Sequence, residues 1–424
     1  MKKRPPLSAA LCCALLFSLL AGGCSPKDGT AEMWTAIPEL AAYADLFNAR
    51  QNKYRVKVVY KENPGRELLG TQEFPDLIVD QNLNGRRYSL LFSDLSFLFD
   101  RGGLSREDFY PSLLDLSVSN NQLLTLPLSF NLPLLYYKKS PNGPEDPLKT
   151  PEEIQGLLRE FESPRGRGNF QTWGFSPLWN GGALLALAQL AGADFGEDQN
   201  SYPRWDQEGL ERSFALQEEE RRGRNKTLND EIRFTDKYLG QPLPKLVLEG
   251  RILLGFADTR EFHRIPPEER QDLHFFWLSD GQRVPANTDI YFAAIPRKGT
   301  DKKAGAEFLA WLFSRRGQEE ILEYFQFNRI RSFGIARGLS SLIPINELVM
   351  VRHYPLLLGA LPPARSILFP QALPPEWKDL RPGLLIPWLL DRARRGGAAS
   401  GGGGAGEIIL EEALRTWYNQ QGRY

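Results

Sequence analysis

From Leu126 to Tyr137, within TLPLSFNLPLLYYKK (residues 125–139), almost every position is apolar or aromatic, and only Ser129 and Asn131 interrupt the run. The stretch is too short for a helix, and Pro127 and Pro133 punctuate it, so it predicts a buried central strand that passes from one half of the protein to the other. Its polar gap marks either a satisfied bend or the wall of a cleft. Upstream, Glu32–Trp34 reads as a very short strand, followed by a helix with Leu40, Tyr43, Ala44 and Phe47 on one face. Tyr54–Tyr60 is β-branched and aromatic, hence a strand. A short helix then precedes a third strand over Asp76–Asp80. Strands alternating with helices imply parallel pairing with right-handed crossovers, and ligands in such sheets sit beyond the carboxyl ends of the strands. That rule places Trp34-Thr35 and Asp80-Gln81 at the edge of a site.

Further along, Leu90–Phe99 and Phe109–Leu116 pack beneath the first lobe, and the proline-rich Pro141–Pro151 reads as a linker. Thr150-Pro151-Glu152-Glu153 opens a helix. Gln171–Gly182 carries Trp173 and Trp179 without helical period, and such large rings either enter the core or line a cleft. Glu218–Arg224 reads as the solvated face of a helix. Gly250–Phe256 is a strand ending at Ala257-Asp258-Thr259; Phe275–Trp277 and Asp289–Ile295 are two more. Thr300 or Asp301 caps a helix that turns Ala304, Phe308, Trp311 and Leu312 inward. Gly396–Gly406 is a flexible tract, and a last helix stripes Leu410, Ala413, Leu414 and Trp417.

The N-terminus is of a different kind. Lys2, Lys3 and Arg4 precede an apolar run from Leu7 to Leu20, too short to span a bilayer, in the manner of a secretory leader. Leu20-Ala21-Gly22-Gly23-Cys24 follows it and resembles the lipobox of bacterial lipoproteins, which implies lipidation at Cys24 after loss of residues 1–23. The other two cysteines, Cys12 and Cys13, lie in the leader, so the body has no disulfide framework and no thiol catalyst. Lys+Arg 52 balances Asp+Glu 52 in the whole chain, and loss of the leader leaves 49 basic against 52 acidic groups. Neither balance draws a nucleic acid. The chain's 424 residues exceed the usual single core and imply two domains.

Trp34, Trp173 and Trp179 with Asp80 and Asp258 supply the mixture a sugar site needs, flat rings for C–H faces and acids for hydroxyls. Each has a structural alternative: core packing for the tryptophans, a helix cap for the aspartates, and a satisfied bend for Asn131. Trp311 and Trp417 fit core stripes. The histidines His263, His274 and His353 show no metal spacing and no triad context, and no cofactor motif is present.

Taken in order, five segments resemble the extracellular solute-binding proteins of ABC importers, in the group that includes maltodextrin-binding proteins. They are the lipoprotein start, Met33–Asn48, Phe74–Asp80, the Leu126–Lys138 crossover, and Glu249–Asp258 leading on to Asp289–Phe313. The resemblance implies an α/β fold of two lobes, each a mostly parallel sheet flanked by helices, with a ligand cleft that closes about a hinge. It implies a tether over 24–31, an N-terminal lobe of 32–136 plus 296–342, and a C-terminal lobe of 137–295 plus 343–424. Its ligand-facing positions fall on Trp34, Asp80, Phe130 or Asn131, Trp173, Trp179, Asp258 and the strand start with Asn287, Asp289 and Tyr291. The implied protein is a monomeric, lipid-anchored receptor facing the periplasm or cell exterior, delivering a sugar to permease subunits, without cofactor or metal. Two other readings stay open: a surface lipoprotein acting as an adhesin, and a secreted glycoside hydrolase using Asp80 and Asp258 as its acid–base pair.

Overall fold

The computed structural model describes residues 29–100, 103–140, 146–162, 171–223, 227–395 and 409–420. The leader, Cys24 and the 396–406 tract lie outside them. The chain starts with β1 (Thr30–Thr35), α1 (Leu40–Arg50), β2 (Arg55–Tyr60), α2 (Pro64–Gly70) and β3 (Leu77–Gln81). β1 pairs in parallel with β2 along its whole length and with β3 from Met33 onward. It is therefore longer than its apolar residues suggest and takes in part of the expected tether. The edge offered by β2 pairs Thr30, Ala31 and Glu32 whatever their side chains. α1 buries Leu40, Tyr43, Ala44 and Phe47 as its spacing predicts.

β4 (Leu126–Phe130) stays in this first sheet, and β5 (Pro133–Lys138) belongs to a second one, so the apolar run does cross between lobes. Two residues make the crossing. The Asn131 side chain accepts from the Thr259 hydroxyl at 2.6 Å and donates to the Arg337 carbonyl at 3.2 Å, so the polar gap is a bend tied by side chains from both directions.

The second lobe follows. β6 (Leu148–Lys149) turns part of the expected linker into an edge strand, and α3 (Pro151–Glu162) begins where Thr150 and Glu153 cap each other. Next come α4 (Gly181–Leu190), α5 (Gln207–Gly223), α6 (Leu228–Tyr238), α7 (Leu243–Leu248), β7 (Leu254–Asp258), α8 (Thr259–Arg264) and β8 (Leu273–Leu278). The strand order is β7-β5-β8-β6, with β5 antiparallel to both neighbours and only β6 parallel to β8.

The chain returns through β9 (Tyr291–Ala294), α9 (Lys302–Leu312), α10 (Arg315–Phe327) and β10 (Leu339–Ser340), which completes the first sheet in the order β10-β4-β9-β3-β1-β2. Asp301 caps α9, accepting from the Ala304 amide. β9 runs antiparallel to β3 and β4, and the register with β4 slips between Tyr291 and Phe292, where Pro127 offers the ladder no donor. Both sheets are thus mixed rather than mostly parallel. A strand that comes back from the other lobe enters from the opposite end, and parallel pairing survives mainly where helices link β1, β2 and β3.

The last segment spans both lobes. Ile345–Met350 packs against α10 and β10, and Ile367-Leu368 pairs with Val284-Pro285 between the lobes. α11 (Ile386–Arg395) and α12 (Leu410–Gln420) join α4 and α5 in a separate cluster that buries Trp377, Leu389, Leu414 and Trp417. Ala413, expected in the same stripe, is only half-buried.

Candidate functional site between the lobes

The carboxyl ends of β3 and β7 bring charged side chains together. Asp258 ends β7 and caps α8: one carboxylate oxygen accepts from the Glu261 amide at 2.7 Å, and Glu261 returns the bond to the Asp258 amide. Its other oxygen accepts from Asn287 at 3.0 Å and from Arg260 at 3.1 Å. Arg260 also donates to Asp289 Oδ2 at 3.1 Å, and Arg381 stands 3.8 Å from Asp289 Oδ1. Burial raises the Asp258 pKa to about 6 despite the opposing pull of Arg260, and Glu261 and Asp289 push the same way as burial. Burial also works against the Arg260 charge, but Asp289 and Asp258 outweigh it and hold the guanidinium above its usual value.

Asp80, buried, stands one residue before the end of β3. Its Oδ2 accepts from the Gly65 amide at 3.0 Å, whereas its buried Oδ1 has no hydrogen-bond partner and faces Lys378 Nζ at 3.8 Å. Burial raises the Asp80 pKa against the opposing effects of Lys378 and Gly65. A Cβ at position 65 would stand 2.8 Å from the Tyr88 hydroxyl and 3.3 Å from the Asp80 carboxylate, so any larger residue would push these side chains aside. Beside Asp80, Gln81 donates to the Tyr291 hydroxyl at 3.0 Å, and Arg337 pairs with Glu39 at 2.8 Å.

Around this floor runs a rim of contacts from the first lobe to the C-terminal segment and to Glu197 of the second lobe. Arg66 pairs with Asp379 at 3.1 Å, Arg87 with Glu376, and Lys378 donates to the Glu62 carbonyl at 2.7 Å. The Arg86 amide donates to Glu197 at 2.6 Å. The rim borders an open-mouthed space of 560 Å³ lined by Arg66, Arg87, Tyr202, Glu376 and Tyr418.

Of the positions expected to face a ligand, the structure gathers Asp80, Asn131, Asp258, Asn287, Asp289 and Tyr291 here. The other four, all aromatic, lie elsewhere. Phe130 is wholly buried, edge-on to Phe369 and Tyr110. Trp34 packs into the first core beneath Lys61 and donates to Glu32. Trp173 and Trp179 pack on Phe234 of α6 within the second lobe, since a ring of that size gains most where α6 can cover it. Sequence reasoning missed Glu39, Arg66, Arg87, Arg260, Arg337, Lys378 and Arg381. Only Arg260, two residues past the singled-out Asp258, carried a local signal. Among the described residues no group of three or more His, Cys, Asp or Glu is arranged to hold a metal, and no helix is long and apolar enough to cross a membrane.

No family model matches the sequence, and a search of curated proteins returns no match. Solved structures do match. The sugar-binding protein MalE from Xanthomonas citri superposes with a TM-score of 0.64 at 12% identity, over 92% of this chain and 96% of that one. The fold is that of the two-lobed solute-binding proteins. Within that fold, the GacH receptor of Streptomyces glaucescens, solved unliganded and with acarbose, matches with a TM-score of 0.58 at 14% identity, over 94% and 99%. An ABC substrate-binding protein from Listeria monocytogenes in complex with cycloalternan matches with a TM-score of 0.57 at 12% identity, over 94% and 100%.

Proposed function

We propose that this protein is a receptor that captures a sugar or oligosaccharide between its lobes and delivers it to the permease of an importer. One observation carries the reading. At the floor of the cleft, Asp80 Oδ1 and Asp289 Oδ1 are buried, hydrogen-bonded to nothing, and each faces a cation 3.8 Å away, too far for a hydrogen bond. A buried acceptor without a donor costs about 1–3 kcal/mol, and more when charged. A ligand rich in hydroxyls supplies the missing donors without bringing in charge. The likeness to sugar-binding structures supports the same class of solute.

Closure moves the lobe built on the first sheet, which includes β4 and β9, against the lobe built on the second, which begins with β5, and the Asn131–Leu132 crossing is among the hinges. The lipobox-like Cys24 holds the receptor at the membrane, facing the periplasm or cell exterior. The protein binds without turning its ligand over.

Calorimetric titration with neutral mono- to tetrasaccharides tests this. Saturable binding that Asp80→Asn weakens at least about tenfold, equivalent to about 1.4 kcal/mol, is expected. Absence of binding across the panel, or hydrolysis of the sugar by purified protein, overturns it.

A further inference from the structure

A second space of 420 Å³ opens between the lobes and shares no lining residue with the rim space. One wall is α8 with the Pro266–Arg270 segment after it. The other is the end of α10, the loop from Ile330 to Phe333, and His353-Tyr354. Its floor is aromatic: the His263 ring stacks on Phe333 with centroids 4.2 Å apart, and Tyr354 meets the two rings edge-on at 5.0 and 4.8 Å. His263 Nδ1 donates to the Thr259 carbonyl at 2.7 Å, and burial lowers the pKa of this ring to about 3, so it is a neutral surface at physiological pH.

The walls carry charge of one sign. Arg264, Arg270 and Arg331 line the space, and no Asp or Glu does; Glu319 and Glu323 of α10 act on His353 from outside the lining. Arg270 is committed to the Ile265 carbonyl at 3.0 Å. Arg264 and Arg331 are exposed and make no ion pair among the described residues. Three arginines facing one cavity in a chain whose charges balance overall make a local positive field over an apolar floor.

We propose that this groove is a second binding site, for a small organic anion whose carboxylate or phosphate is held by Arg264 and Arg331 while its ring lies over His263, Phe333 and Tyr354. A guanidinium matches either acid group with paired N–H donors, and the aromatic floor accepts the C–H face of a ring. Both lobes contribute walls, so an occupant here favours the arrangement of the lobes in which the two walls stand together.

The test is calorimetric titration of the intact protein with glucuronate, glucose 6-phosphate and, as the neutral reference, glucose, at low and high salt. Anion-specific binding that weakens with salt is expected. The double variant Arg264→Gln/Arg331→Gln lowers it at least about tenfold, and Asp80→Asn leaves it unchanged, which separates this groove from the sugar site whatever becomes of that reading. Anion binding that survives the double variant, that Asp80→Asn abolishes, or that never saturates overturns the assignment. So does binding of a tetraglutamate peptide where both small anions fail, since the groove is then a peptide site.

Discussion

The floor and the rim of the cleft use the same chemistry, arginine against carboxylate, in opposite surroundings. At the floor the Arg260 side chain is 18% exposed and its partners Asp258 and Asp289 are 6% and 3% exposed. At the rim Arg66 and Asp379 are 49% and 38% exposed. Removing one member of a buried pair strands an uncompensated charge and costs about 3–5 kcal/mol, whereas an exposed pair contributes at most about 1 kcal/mol. The floor therefore sets the geometry where β7, β9 and the C-terminal segment meet, and the rim only biases how readily the lobes part. Geometry and opening are thus encoded in different residues of one cleft.

The largest expected effect is that of Arg260→Met, which leaves Asp258 and Asp289 facing one another. Urea denaturation should show a loss of about 3–5 kcal/mol, and a loss below about 1 kcal/mol would remove the distinction between floor and rim.

The next is a dependence on pH. Asp258 is raised in the folded protein above its unfolded value near 3.8 to about 6. The native state then holds the extra proton between those values, so the group's contribution to stability is fully present below the unfolded pKa and is lost as pH rises through about 6. The slope reaches at most about 1.4 kcal/mol per pH unit. The stability gap between wild type and Asp258→Asn, measured from pH 4 to 7, should narrow as pH rises; a gap that widens contradicts the assignment.

The smallest effect is at the rim. Arg66→Ala should change stability by less than about 1 kcal/mol while making the compactness of the unliganded protein, followed by small-angle scattering, less sensitive to salt. A loss as large as that of Arg260→Met would show that the rim is structural too.

Local elements were legible because local forces make them. The inward face of α1, the Asp301 cap, the Thr150–Glu153 cap and the crossing of the Leu126–Tyr137 run all follow from spacing and composition within a few residues. The site was legible in part. Asp80 and Asp258 sit at strand ends, where chain order alone points to a cleft, and Asp258 is both a helix cap and a cleft residue, so the two readings of it do not compete. The aromatic candidates went the other way: Trp173 and Trp179 meet Phe234 from more than fifty residues away, and nothing near them in the chain reveals that cover.

By itself, then, the sequence determined the two-sheet α/β plan, the helix faces and the caps, each decided by neighbours in the chain. Only the tertiary structure decided that Trp34, Phe130 and Trp173 are buried in the core with Trp179 packed half-buried against it, and that charged groups meet between the lobes. Burial of a ring depends on which distant helix covers it. The pairs Glu39–Arg337 and Asp80–Lys378 and the cluster of Arg260, Asp289 and Arg381 form only where segments far apart in the chain converge.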